Sequence, residues 1–260
     1  MEVPANIISA SISDRGLSEH RPQNEDSYLE LPGRGLYAVA DGVGGAQGGD
    51  VASQTAMEIL SEAFANAAAD ESAEQIIRAA IETANNAIYQ MAMDIPQLSS
   101  MATTIAVLNL ADGFATIAHV GDSRVYRFDA EGMIFRETQD HSVVEEEVRA
   151  GRMTPEQAVV HPSRNVISRA VGAEKQVQID LKTFPIEPGS MFLLCSDGVT
   201  RHITDNELGE LLATGMSPTL LCEQIKDVCF ERGAEDNLTA VIVKTSEAAA
   251  ESSFAAPERT

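Results

Sequence analysis

Hydrophobic and polar residues follow two rhythms along this chain. Short apolar runs closed by turn residues cover Ile7–Ser13, Ser27–Leu31 and Gly35–Ala40, and they predict strands. The glycine-rich GVGGAQGG then leads into Val51–Ala67, where Ala52, Ala56, Ile59, Leu60 and Ala63 recur at helical spacing. Ser72–Met93 predicts a longer helix, with Ile76, Ile77, Ala80, Ala84, Ala87 and Ile88 on one face and a capping box of Ser72 and Gln75 at its start. Closely spaced strands follow at Thr103–Leu110, Phe114–Val120, Arg124–Asp129 and Met133–Thr138, with turns such as ADG and DAEG between them.

From Ser142 to about Gly172 the rhythm changes. Val143–Ala150 and Thr154–Val159 read as short helices, His161–Pro162 breaks the run, and the polar, arginine-dotted stretch reads as an inserted lobe or flap. Strands resume at Val177–Phe184 and Ser190–Ser196, helices at Thr204–Ala213 and Ser217–Glu231, and a last strand at Leu238–Lys244. Residues 245–260 lack apolar periodicity and are expected to be disordered. The meander leaves no room for crossover helices, so the sheets are expected to be antiparallel and covered by helices, an α+β arrangement in one domain over residues 1–244.

Four aspartates stand where apolar runs meet turns: Asp41 in YAVADGVGG, Asp122 in IAHVGDSRV, Asp197 in FLLCSDGVT and Asp236 in GAEDNLTAVIV. One such aspartate is an ordinary turn former. Four suggest that strand ends converge on an acidic pocket, and clustered carboxylates stay ionised in a partly dry pocket only beside cations. Hard divalent ions bound through oxygen answer that need and point to Mg²⁺ or Mn²⁺ chemistry on a phosphate ester.

Composition narrows the classes. At 44% hydrophobic and 22% charged, the 260 residues are those of an ordinary globular protein. A net charge of −22 argues against nonspecific binding to nucleic acid or to an anionic membrane, and against a two-metal nuclease. Three cysteines without paired spacing suggest a reducing compartment. There is no signal-peptide pattern at the N-terminus and no apolar run of membrane-spanning length, so a soluble cytoplasmic protein is expected.

The strings RPQNED (21–26), ADGVGG (40–45), SxxATT (Ser99, Ala102 to Thr104), GDSRVY (121–126), TQDHS (138–142), SDGVT (196–200) and EDNLT (235–239) together resemble the metal-dependent Ser/Thr phosphatase family known as PP2C or PPM. The likeness spans residues 7–244 in the family's order and spacing. It implies two antiparallel sheets sandwiched between pairs of helices, and hydrolysis of phosphoserine and phosphothreonine by a hydroxide bridging two metals. By the same resemblance Asp41 bridges the ions and the Gly42 carbonyl adds a ligand to one. Asp197 and Asp236 complete the other ion's shell, Glu25 joins directly or through water, and Asp122 with Asp197 serves a third, weaker ion found in bacterial members. Arg21 matches the residue that grips the substrate phosphate, a task suited to a bidentate guanidinium. Phosphoprotein substrates, an opposing Ser/Thr kinase and a monomeric state are the implied partners and assembly.

One departure is chemical. Members of the eukaryotic form often place a histidine, proposed as general acid, where this chain has Val43, so leaving-group protonation is expected from metal-bound water or another group, with His141 and His161 as the local candidates. The other four-residue-scale features read blandly: Glu145–Glu147 as a solvated helix face, and the histidines as surface or structural residues. GVGGAQGG resembles a phosphate-binding loop, but it lacks the third glycine of GxGxxG and sits beside Asp41. Cys195 to Arg201 matches the C-x5-R spacing of cysteine-dependent phosphatases, although an aspartate in that loop would oppose both a thiolate and a phosphate. A noncatalytic pseudophosphatase that binds phosphoproteins is the alternative of another class; loss of a ligand would mark it, and the carboxylates are all present.

Overall fold

The computed structural model describes residues 3, 7–44, 48–68 and 70–246. The tail expected to be disordered therefore lies outside the described residues from 247 onward, as do Gly45, Ala46 and Gln47 of the glycine-rich stretch.

Two antiparallel sheets lie face to face. The first has the order β1 (Ile7–Asp14), β11 (Leu238–Thr245), β10 (Met191–Cys195), β7 (Arg124–Phe128) and β8 (Ile134–Arg136). The second runs β2 (Asp26–Leu31), β3 (Leu36–Val43), β5 (Ile105–Ala111), β6 (Phe114–Val120) and β9 (Asp180–Pro185), with β4 (Ala102–Thr103) paired to the end of β3. The inner strands are apolar throughout because both of their faces are buried. In β3, Tyr37 and Val39 point between the sheets while Leu36, Ala38 and Ala40 point at helices. In β10, Phe192 and Leu194 face inward while Met191, Leu193 and Cys195 face the opposite helix layer.

Helices α1 (Gly49–Asn66) and α2 (Ala73–Asp94) cover the second sheet, burying Ala52, Ala56, Leu60, Phe64, Ile77, Ile81 and Ile88 against it. The capping box at Ser72 is formed as expected, with Ser72 Oγ accepting from the Gln75 N–H, a cap that contributes about 1 kcal/mol. Helices α6 (Asp205–Leu212) and α7 (Pro218–Glu231) cover the first sheet through Leu208, Leu212, Leu221, Ile225 and Cys229. The expected α+β arrangement is the one observed.

The stretch from Ser142 to Gly172 carries α3 (Val143–Arg149) and α4 (Pro155–Val159) and returns through isolated bridges, Ser142 to Ile167 and Thr103 to Val171. Its acids are not the free solvated face expected from the sequence. Glu145 accepts from Arg136, Glu146 from the Ser168 hydroxyl, and Glu147 from Arg152 at 2.6 Å, so each has a partner within or beside the lobe. No helix among the described residues is long and apolar enough to cross a membrane.

Candidate active site

The ends of β3, β6, β10 and β11 meet at one edge of the sandwich and open a cavity of about 690 Å³. Every residue that the sequence assigns to metal or phosphate lines it: Arg21 and Glu25 from the β1–β2 connection, Asp41 and Gly42 from β3, Asp122 from the β6–β7 turn, Asp197 and Asp236. Two local expectations need correcting. Asp41 does not end its strand, because pairing of Gly42 with Thr103 carries β3 on to Val43. Asp197 does not sit in a turn but opens a one-turn helix, α5 (Asp197–Thr200), which lacks the length to show periodicity.

Glycines bring these pieces within reach of one another. A Cβ on Gly42 would lie 2.1 Å from the Gly49 carbonyl oxygen and 2.6 Å from that of Glu25, so only glycine lets β3, α1 and the Glu25 loop close together. A Cβ on Gly198 would lie 1.9 Å from the Asn237 carbonyl oxygen, so α5 can press onto the β11 entrance and hold Asp197 beside Asp236.

The remaining motif residues build the frame. Thr104 Oγ1 accepts from the Asp41 N–H at 2.9 Å, and Thr103 Oγ1 donates to the Asp41 carbonyl at 2.9 Å. Thr104 also bonds to Ser123 of the GDSR string at 2.7 Å. Asn237 Oδ1 accepts from the Glu25 N–H, while its amide donates to the carbonyls of Arg15 and Gln23, which fixes the loop that carries Arg21. Arg124 turns away from the cavity and grips Asp140 through both carboxylate oxygens, tying TQDHS to the sheet.

Electrostatics set the character of the cavity. Burial, followed by repulsion from Asp26, Asp197, Asp122 and Asp236, holds the Asp41 carboxyl well above the usual range. Burial and then Asp197 and Asp140 push Asp122 up to about 8. Asp236 and Glu25 are also raised, again mainly by burial. Two guanidinium groups offset part of this charge. Arg21 meets both oxygens of Asp236 at 3.0 Å, and Arg201 donates to Asp236 Oδ2 at 2.6 Å and to Asp197 Oδ2. Asp197 Oδ1 is nevertheless buried with no hydrogen-bond partner among the described residues. An orphaned carboxylate oxygen within a self-repelling, all-oxygen donor set suits a hard divalent cation.

Sequence reasoning missed three residues. Asp26, paired across the ladder with Asp41, is buried, accepts from Ser196 Oγ at 2.7 Å and has its pKa pushed up to about 7 by burial. Its place directly after Glu25 was the available signal. Arg201 reads in the sequence as the end of C-x5-R, although its i, i+4 spacing from Asp197 marks an ion pair. His20 lines the cavity beside Arg21.

The proposed proton donors fare differently. His141 is fully buried and stacked on His119 with ring centroids 4.6 Å apart. Its Nδ1 accepts from the Gly121 N–H, and Nε2 faces Asp180 Oδ2 at 3.3 Å. Burial, with His119 and Arg169 adding to it, pushes its pKa down to about 4, so the ring is neutral and occupied. His119, His141 and Asp180 place three donor atoms within 4.8 Å, but on His141 the Gly121 N–H occupies Nδ1 while Asp180 and Arg169 both lie 3.3 Å from Nε2. His161 accepts from the Ser163 N–H within the lobe. Neither His141 nor His161 lines the cavity, and this overturns both as local acids.

Cys195 is fully buried and its thiol is pushed far up by that burial, while Arg201 is engaged by carboxylates. Cys195→Ser is therefore expected to cost about 1 kcal/mol of stability and leave turnover within twofold of wild type. Parallel melting and steady-state assays check this, and loss of turnover in a folded variant would restore the cysteine mechanism.

The protein phosphatase 2C family model matches residues 19–240. The serine/threonine phosphatase stp of Listeria monocytogenes is 33% identical over 237 residues, covering 89% of this chain and 93% of that protein. The structure is similar to that of the Mycobacterium tuberculosis serine/threonine phosphatase PstP/Ppp, with a TM-score of 0.85, 31% identity, and 93% of this chain and 99% of that one covered. It is also similar to the catalytic domain of the phosphatase PstP in complex with two manganese ions, with a TM-score of 0.82 and 30% identity over 93% of this chain and 99% of that one. The motif set, the two-sheet fold and these likenesses coincide over the same residues, and the chain belongs to the protein phosphatase 2C family.

Proposed function

We propose that this protein removes phosphate from phosphoserine and phosphothreonine side chains of other proteins, with Mg²⁺ or Mn²⁺ as cofactor. The observation that carries this reading is the convergence of Glu25, Asp41, Asp122, Asp197 and Asp236 with Arg21 around one cavity. Bound there, the cations supply Lewis-acid chemistry: they neutralise phosphate charge and activate water for direct attack, so no protein nucleophile is required. By the family resemblance Asp41 would be the ligand common to two ions, with the Gly42 carbonyl and Glu25 serving one and Asp197 and Asp236 the other. Asp122, with Asp197, is assigned to a third, weaker ion.

Arg21 holds the phosphate. It is half-exposed at the mouth of the cavity, and its planar fork matches two phosphate oxygens. The lobe 142–172 lends Asn165 and Ile167 to the cavity wall, which supports a role as a flap that shapes substrate entry. A cytoplasmic location, a monomeric state and an opposing Ser/Thr kinase complete the reading. The retained carboxylate set disfavours a noncatalytic phosphoprotein binder.

Turnover of a phosphothreonine peptide and of p-nitrophenyl phosphate by the full chain tests it. Activity is expected with Mn²⁺ or Mg²⁺ and is expected to vanish in EDTA. A protein that binds Mn²⁺ and turns over neither substrate would overturn the reading.

A further inference from the structure

Arg201 occupies an unusual position for a surface arginine. It follows α5 directly, and its guanidinium contacts two carboxylates assigned to metal, Asp197 four residues before it and Asp236 at the entrance to β11. Asp236 is only 4% exposed and is gripped from two sides, since Arg21 and Arg201 both donate to the same oxygen, Oδ2, at 3.0 and 2.6 Å. The two guanidinium groups therefore converge on one point. They come close enough to share a single small anion.

Charge decides what happens there. Fully ionised, the six carboxylates that line the cavity, Glu19, Glu25, Asp41, Asp122, Asp197 and Asp236, against two guanidinium groups leave four negative charges. Two divalent cations would neutralise them. Arg201 holds Oδ2 of Asp197 and Oδ2 of Asp236, two carboxylates that would serve the cations, and a cation next to a guanidinium repels it. Arg201 is thereby loosened from its anions beside a neutralised cavity, next to the arginine already assigned to phosphate.

We propose that Arg201 is a second phosphate-binding arginine: in the unloaded site it is the internal counter-cation of Asp197 and Asp236, and metal binding hands it to the phosphate group of the substrate. This rests on the phosphatase reading and names a residue which that reading does not use. The competing explanation is a permanent i, i+4 tie that only steadies α5.

The test compares wild type, Arg201→Gln and Arg201→Lys as full chains. Three quantities are read: Mn²⁺ affinity by calorimetry, inhibition by inorganic phosphate with p-nitrophenyl phosphate as reporter, and melting with and without Mn²⁺. The glutamine variant is expected to bind Mn²⁺ several-fold more tightly, because no internal cation must be displaced. Its phosphate inhibition is expected to weaken roughly tenfold, the loss of a charge-assisted pair, and the lysine variant less so. Phosphate inhibition within twofold of wild type in both variants, with Mn²⁺ bound, would overturn the grip. Unchanged Mn²⁺ affinity in the glutamine variant would overturn the counter-cation role. Failure of the phosphatase reading is a separate result, wild-type protein that binds Mn²⁺ without turnover; phosphate binding to the three Mn²⁺-loaded proteins, read by calorimetry, then still decides the role of Arg201.

Discussion

Asp41→Asn is expected to lower turnover by roughly 10³-fold or more, because it removes the charge at the centre of the carboxylate set and keeps the shape. The fold is expected to survive. Asp41 is held by backbone contacts, its N–H to Thr104 Oγ1 and its carbonyl from the Thr103 hydroxyl and the Thr104 N–H, and an asparagine keeps all three. Metal-free Asp41→Asn should melt higher than metal-free wild type, since a buried carboxyl repelled by Asp26, Asp197, Asp122 and Asp236 is replaced by a neutral amide. The rise in melting temperature on adding Mn²⁺ should shrink with it. Asp122→Asn is the internal contrast. Asp122 borders both the catalytic cavity and the neighbouring one under the lobe, and its loss is expected to cost no more than about tenfold in activity. Steady-state rates with saturating Mn²⁺, together with melts of both variants, check the pair. An Asp41→Asn protein with wild-type turnover would remove Asp41 from the chemistry.

Much of this arrangement was legible in the chain, and the illegible parts share a cause. The run Leu36–Ala40 reads as a strand because both its faces are buried, and the Ser72 cap reads as a helix start because its partner is three residues away. Such signals are local. The extension of β3 through Asp41 to Val43 is not, since it depends on Ala102 and Thr103 arriving from the far side of α2. Helix α5 is one turn long and is set by the seat of Gly198 on Asn237 rather than by propensity. Arg201 reads as the end of a cysteine-phosphatase string until the fold brings Asp236, 35 residues away, onto its guanidinium. His141 reads as a free histidine in a polar motif, but Asp180 on β9 and Gly121 at the end of β6 claim its two nitrogens. The acids Glu145, Glu146 and Glu147 read as solvated because their partners, Arg136, Ser168 and Arg152, are not at helical spacing from them. Sequence thus pointed to the carboxylates and to Arg21, which share one cavity, while the neutralising contact from Arg201 emerged only from long-range packing.

Metal-free protein is expected to lose stability as pH rises from 5 to 8, opposite to the usual gain as carboxylates ionise. The sign follows from the site. Folding raises the pKa of Asp26 to about 7 and that of Asp122 to about 8, both mainly through burial, from a value of 3.8. Between the unfolded and folded values the native state holds protons that the unfolded chain has released, so stability falls with pH across that window. The contribution is fully present below about pH 4 and is lost as pH passes through 7 to 8. At about 1.4 kcal/mol per pKa unit, and with coupling between the groups discounting a simple sum, the loss is on the order of a few kcal/mol. For a domain of this size that is a drop in melting temperature of roughly 5–10 °C. Divalent cations reverse the trend, because they take the place of the protons: Mn²⁺ should raise the melting temperature more at pH 8 than at pH 5, and its binding should release protons. Melts in EDTA and in Mn²⁺ across this range, with calorimetry in buffers of different ionisation enthalpy, measure both effects. A metal-free melting temperature that stays flat or climbs from pH 5 to pH 8 would mean that the fold does not hold Asp26 and Asp122 protonated, and would overturn the expectation.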